Sequence, residues 1–299
     1  MAQAKVKKGV TLEYEIHGDM SRPVIFVILG ITDNITDWPP GMIEPLVDAG
    51  YCVVCHELRD SGWSTKFEDF SILDLGEAAE KLASGELPEA PYTVGDVAED
   101  ALLLMDYLDI NSACVVGYSY GSMVAQLLAL RAIELLDGLV CLQGSNYNPS
   151  LPARSEAVRE TMYAATVEYP SLEDQISAVK GLRFATNGSI HALDNDEASA
   201  SARTSVDRMY YPQGTARIVL SRFATTPFFK QTSEITCPTL ILQADEDPIF
   251  NFEHGEDMVS RIPNARLVKL QGAGHNHPLS LQPIIAAEIG RFAKSIYPD

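Results

Sequence analysis

The chain predicts an α/β fold: a mostly parallel sheet with helices on both faces, interrupted by a helical insertion. Three observations carry this. Apolar strand-like runs and helical segments alternate from near the start. Several of those runs are apolar throughout, as strands covered on both faces must be. The alternation then breaks between about Asn146 and Glu234, where helical segments and aromatics replace buried strands.

The elements follow in order. Val10–Ile16 alternates like an edge strand, and Val24–Leu29 is a continuous apolar run. Met42–Ala49 reads as a short helix stopped by Gly50, and Tyr51–His56 as the next strand. Thr93-Val94-Gly95-Asp96 places a carboxylate three residues after a capping hydroxyl. Apolar residues then recur at Val97, Ala101, Leu104, Met105 and Leu108, on one helical face. Ala113–Val116 is a strand, a tight turn follows, and Ser122 to Ile133 is a helix. Leu139–Leu142, Thr239–Leu242 and Arg266–Leu270 are further strands, and a closing helix runs from about Leu281 to Ser295. A second interruption, Phe67 to Pro91, holds a short helical stretch from Leu75 to Leu82. The predicted organisation is a core made of residues 1–146 and 234–299, with a helical cap at 147–233.

Composition narrows the function. The chain has 299 residues, a formal net charge of -19, and is 46% hydrophobic. So acidic a surface repels nucleic-acid phosphates and anionic membranes, which excludes both as expected partners. No apolar run approaches the length of a membrane span. The basic start, Met1 to Lys8, leads into a strand and offers no secretory apolar core. Five cysteines are scattered, mostly inside apolar runs, as expected of reduced core thiols in a cytoplasmic protein. Cys52-Val53-Val54-Cys55 has redox or zinc spacing, but strand geometry points the two thiols to opposite faces and no second ligand pair accompanies them. The sequons at Asn34 and Asn187 therefore carry no meaning.

The chemistry centres on Gly117-Tyr118-Ser119-Tyr120-Gly121. A serine between a buried strand and a helix sits on a cramped turn that projects its hydroxyl at the sheet's end. The glycines are needed because a Cβ on either side would collide with neighbouring backbone. A serine hydroxyl needs a base, and the base needs an orienting acid. The base candidate is His275, in the Gly-rich loop Gln271–His275 directly after the last predicted strand, where ligands of open α/β sheets bind. His17, His56, His191, His254 and His277 have no comparable setting. The strand Leu240–Leu242 delivers Asp245, Glu246 and Asp247 at its carboxyl end, and chemistry alone leaves the choice among them open. The end of Leu139–Leu142 offers only Gln143, Gly144, Ser145 and Asn146, none of them acidic. For a developing oxyanion, the backbone N–H of Tyr120 lies at a helix N-terminus, and that of Ile31 lies in the loop after Val24–Leu29.

With these residues the chain resembles the α/β-hydrolase family. Ser119, Asp247 and His275 follow that family's order, and G-x-S-x-G is its nucleophile elbow. The resemblance selects Asp247 over Asp245, since the family's acid falls third after a small residue, here Ala244. Leu29-Gly30 stands where the family has His-Gly. Glu57-Leu58-Arg59-Asp60-Ser61-Gly62-Trp63-Ser64 stands for its D-x-R-G-x-G-x-S stretch. Within the family, Arg59–Gly62 and the Asp247-Pro248 turn resemble methylesterases of the aclacinomycin type. The implied activity is cleavage of a carboxylic ester, such as a methyl ester or lactone of a bulky apolar small molecule, through an acyl-enzyme and without metal or organic cofactor. C–C bond hydrolysis, perhydrolysis of the haloperoxidase kind and lyase chemistry use the same triad. A dehalogenase is disfavoured because it needs a carboxylate at Ser119. The reading of a different class is a small-molecule receptor that keeps the triad. Aromatics and methionines of the insertion, Met162 and Met209 among them, either line a pocket or glue the insertion to the sheet.

Overall fold

A computed structural model describes residues 2–70, 74–152 and 154–298. Ser71, Ile72 and Leu73, in the predicted second interruption, and Ala153, in the predicted insertion, lie outside the described residues. Eight strands form one sheet: β1 Ala2–Lys7, β2 Val10–His17, β3 Val24–Ile28, β4 Cys52–His56, β5 Ala113–Tyr118, β6 Leu136–Leu142, β7 Thr239–Ala244 and β8 Ala265–Leu270. Their spatial order is β1-β2-β4-β3-β5-β6-β7-β8. β2 runs antiparallel to both β1 and β4, and every later pairing is parallel.

The strands' side chains divide cleanly between two cores, because neighbours along a strand face opposite ways. Phe26, Ile28, Val54 and Val115 pack under α3 (Val94–Tyr107), α4 (Tyr120–Arg131) and α9 (Phe252–Arg261). Ile25, Val27, Val53 and Val116 pack under α1 (Pro40–Asp48) and α10 (Gln282–Ile296). Cys52 belongs to the first core and Cys55 to the second, so the C-x-x-C pair does diverge. All five cysteines are buried and free. The capping box forms as read: Thr93 Oγ1 accepts from Asp96 N, and Asp96 accepts from Thr93 N.

One expectation is corrected, and one element is added. Val10–Ile16 is not the edge strand, since β1 covers it. Of β1 only Ala4 is buried, and Lys5 and Lys7 are charges of the kind that discourage pairing at a sheet edge. That leaves no apolar signal to read. α9 also went unpredicted, because Phe252, Met258 and Val259 make too thin an apolar stripe among polar neighbours.

Between β6 and β7 the chain forms α5 Glu156–Ala164, α6 Leu172–Ala185, α7 Asn195–Arg208 and α8 Pro212–Phe223. The second interruption forms α2, Leu75–Ala83, and the two interruptions pack on each other: Leu75 and Ala78 meet Ala216, Leu220 and Phe223. The Glu57–Ser64 stretch ties α7 and α8 to the sheet. Asp60 has φ of 64°, a left-handed geometry that aspartate tolerates where the family carries glycine. Its carboxylate accepts from Tyr92 Oη, Phe67 N and both Nε and Nη2 of Arg217. Glu57 accepts from Arg208 Nε at 2.9 Å. Arg59 pairs with Asp100 through two nitrogens at 2.5 and 2.6 Å, both residues buried.

Candidate active site

A parallel sheet sends the loops after its strands to one edge, and the predicted residues meet there. Ser119 follows β5 and has φ 55° and ψ -117°, a conformation that costs on the order of 1–3 kcal/mol and survives only where surroundings enforce it. The enforcement comes from contact on both sides. A Cβ on Gly117 would lie 2.2 Å from Gly121 O, and one on Gly121 would lie 2.1 Å from Ile28 O. These are backbone atoms of β3 and α4 with nowhere to go. Gly121→Ala is therefore expected to destabilise the fold by about 3 kcal/mol or more. Scanning calorimetry would show a Tm lowered by roughly 6 °C or more, and an unchanged Tm would show that the elbow is not so tightly held.

His275 lies after β8. Its Nε2 is 2.9 Å from Ser119 Oγ, and its Nδ1 is 2.6 Å from Asp247 Oδ2. A carboxylate only accepts, so Nδ1 carries the proton and Nε2 is free to accept from the serine. The other oxygen of Asp247 accepts from Ile249 N at 2.8 Å and Phe250 N at 2.9 Å, which fixes the carboxylate's orientation. The three alternatives at the end of β7 are thereby separated. Asp245 accepts from Gly272 N, and Glu246 accepts from Ser189 N and Oγ, so both brace loops instead of meeting the imidazole. The segment between β6 and β7 grips the histidine loop: His275 N donates to Thr186 O at 2.8 Å, and Gly274 lies so close that a Cβ would sit 2.1 Å from that carbonyl.

Among the described residues no other histidine is hydrogen-bonded to Ser119 or Asp247, although His277 lines the same cavity. His277 Nε2 bonds Gln143 Oε1 at 3.0 Å, and burial lowers its pKa to about 3. His56 bonds Val27 O and is lowered to about 4, again by burial. Tyr118 and Tyr120 both line the cavity at Ser119, yet their phenols are engaged: Tyr118 Oη donates to His275 O, and Tyr120 Oη bonds Ser221 Oγ.

The loop after β3 brings Ile31 against the same cavity. Among the described residues nothing accepts from Ile31 N–H. The N–H of Tyr120, in the first turn of α4, has no carbonyl one turn earlier to bond. Sequence reading passed over Asp33, which shapes this loop. Its Oδ2 accepts from Gly30 N at 2.8 Å, and a Cβ on Gly30 would collide with that oxygen. Burial, then the charge of Asp37, pushes the Asp33 carboxyl up to about 7, against the opposing pull of Gly30 N–H, Arg183 and His275. An unfolded aspartate ionises near about 3.9. Between these values the folded chain holds a proton that the unfolded chain has lost, so stability falls as pH rises from about 4 to about 7, by at most ~1.4 kcal/mol per unit. Asn can still accept from Gly30. Asp33→Asn is expected to match the wild-type Tm only below about pH 4, to exceed it by a margin that widens up to about pH 7, and to keep that margin at about pH 8; parallel Tm–pH curves would refute this.

A cavity of about 720 Å³ opens at Ser119 and His275. Met162, Met209, Tyr210 and Tyr211 of the segment between β6 and β7 line it, whereas Phe223 packs on α2 and Phe228 on the core beneath. The aromatics and methionines of this segment thus do both jobs.

Strained serine turn, parallel sheet and convergent carboxyl-end loops are those of a hydrolase fold. Residues 23–279 match the family described as alpha/beta hydrolase fold, and the chain belongs to it. It is 28% identical over 310 residues to the rhodomycin D methylesterase DauP of Streptomyces sp. (strain C5), with 95% of each chain covered. The rhodomycin D methylesterase DnrP of Streptomyces peucetius is likewise 28% identical, over 94% of each. The crystal structure of the enol-lactonase from Burkholderia xenovorans LB400 superposes with a TM-score of 0.75 at 18% identity, over 98% of this chain and 100% of that one. Among the described residues no helix is long and apolar enough to cross a membrane.

Proposed function

We propose that this protein is a serine esterase, cleaving a carboxylic ester of a bulky, largely apolar small molecule through an acyl-enzyme. The observation that carries this reading is the continuous chain of hydrogen bonds from Ser119 through His275 to Asp247, opening on a cavity large enough for a ring system. His275 Nε2 takes the Ser119 proton as Oγ attacks the ester carbonyl. Asp247 holds the imidazole in the tautomer that can accept it and stabilises the imidazolium. The N–H groups of Tyr120 and Ile31 receive the oxyanion, and each such donor typically contributes about 3 kcal/mol of barrier lowering. The imidazolium returns its proton to the leaving alcohol. Water then repeats the sequence and releases the acid.

Residues 147–233 act as the cap in this reading, with α5 to α8 walling the cavity above the sheet's carboxyl edge. The two relatives named rhodomycin D methylesterases support a methyl ester as the bond cleaved. Five buried, free thiols support a reducing, cytoplasmic setting. Fluorophosphonate labelling together with turnover on a panel of methyl esters and lactones tests the proposal. The expected result is one label per chain, on Ser119, and multiple turnover. Turnover confined to vinylogous diketones, or to peroxide with a carboxylic acid, would assign C–C hydrolysis or perhydrolysis. Ligand binding without any product release would make the protein a receptor.

A further inference from the structure

Three arginines line the cavity and serve no part of the triad; Arg183 pairs with Asp37, and the other two lack such a partner. Arg154 lies ahead of α5 and Arg222 lies in the last turn of α8, and both line the cavity that contains Ser119. Among the described residues neither has a carboxylate within ion-pair distance, in a chain with 41 acidic residues to 22 basic ones. The Nη1 of Arg154 reaches only the thioether of Met162, a weak acceptor. The Nε of Arg222 is buried with no partner, and its guanidinium lies over the rings of Tyr147 and Phe223, at 5.1 and 6.0 Å from their centroids.

The electrostatic surroundings agree with this geometry. Burial lowers the Arg154 guanidinium to about 10, and Arg222 and Arg159 add further positive charge, against only the Tyr163 phenol. Arg222 is lowered chiefly by burial. Elsewhere the fold pairs its buried arginines fully: Arg59 with Asp100, and Arg217 with Asp60. A guanidinium drawn partly out of water with no counter-charge is costly to a fold; Arg222, with its Nε buried, and the half-buried Arg154 lie within electrostatic reach of each other, which adds to that cost. A guanidinium's fork of donors matches a carboxylate or a comparable oxyanion.

We propose that Arg154 and Arg222 form an anion subsite of the substrate cavity, so that the preferred ester carries a second, ionised oxygen group, a carboxylate or acidic phenol, remote from the bond that is cut. This inference rests on the esterase reading for the identity of the substrate but not for the existence of the subsite. It makes the apolar cavity selective at one end: a neutral ester fills the space and leaves both cations unpaired, whereas an anionic one satisfies them.

Binding to the Ser119→Ala protein, measured by calorimetry, tests this without turnover. The probes are the monomethyl esters of straight-chain dicarboxylic acids from succinate to sebacate, each beside the neutral methyl alkanoate of equal length. At one chain length the half-ester is expected to bind about tenfold or more tightly than its neutral partner. Adding Arg222→Gln or Arg154→Gln should collapse that ratio toward one, whereas Arg222→Lys, which keeps the charge, should retain part of it. Equal binding at every length overturns the proposal, and the length scan needs no arginine variant that could misfold. A preference that survives both glutamine variants also overturns it, since the carboxylate would then sit elsewhere, for example at His275. The two readings fail separately. Wild-type turnover of neutral and anionic methyl esters with no preference sinks the subsite alone. Arginine-dependent anion binding without any ester turnover sinks the esterase and leaves the subsite.

Discussion

Ser119→Ala is expected to lower kcat on any ester substrate by about 10⁴- to 10⁶-fold, the range lost when the nucleophile of a serine triad is removed. The oxygen deleted is the one 2.9 Å from His275 Nε2. Alanine keeps the Cβ and therefore the same backbone at φ 55°, so neither strain nor packing changes. The Tm should stay within about 2 °C of wild type, because a substitution that leaves packing intact usually alters stability by no more than ~0.5 kcal/mol. Activity and stability thus separate, which distinguishes a reacting group from a structural one. Steady-state kinetics with active-site titration, to exclude traces of wild-type enzyme, would check it. Residual kcat within a hundredfold of wild type would mean that another group attacks the carbonyl.

Asp247→Asn should lower kcat by about 10⁴-fold for a different reason. The amide oxygen can keep the bonds from Ile249 N and Phe250 N, so the side chain stays in place. Its NH₂ then faces His275 Nδ1. Two donors cannot meet, so the imidazole must shift its proton to Nε2, where it can no longer accept from Ser119. The base is lost although every heavy atom remains. KM should change far less than kcat, because Asp247 does not line the cavity. A loss smaller than tenfold would return the role to Asp245 or Glu246, which bond Gly272 and Ser189 in the structure. The corresponding substitutions at 245 or 246 should mainly lower Tm, by loosening the loops they brace.

The legible parts of this chain were those governed by local rules. Continuous apolar runs mark strands buried on both faces, and Gly117 and Gly121 mark a turn too tight for side chains; both survive as strands β3 to β7 and as the clash distances around Ser119. The capping box at Thr93 is a contact between residues three apart, and it is present. Less legible were elements whose burial comes from elsewhere. β1 is charged and mostly exposed, and α9 carries a thin apolar stripe, so neither has a periodic signal strong enough to read.

The site divides along the same line. Its residue types and their positions after strands could be read from order alone, since a parallel sheet directs every such loop to one edge. Which of three neighbouring carboxylates meets the imidazole could be read only from the family resemblance and not from local chemistry, because Asp245, Glu246 and Asp247 share one loop and one chemistry. Backbone N–H groups of Ile249 and Phe250 decide it by turning Asp247 inward. Nor could Asp33 be found, because nothing local distinguishes a carboxylate that will be buried against Gly30 from one left in water. By itself the sequence determined the sheet, the strained serine and the types of group at its edge. Only the tertiary structure decided which partners they face and what lines the cavity, because burial and hydrogen bonding between distant segments depend on where the chain returns.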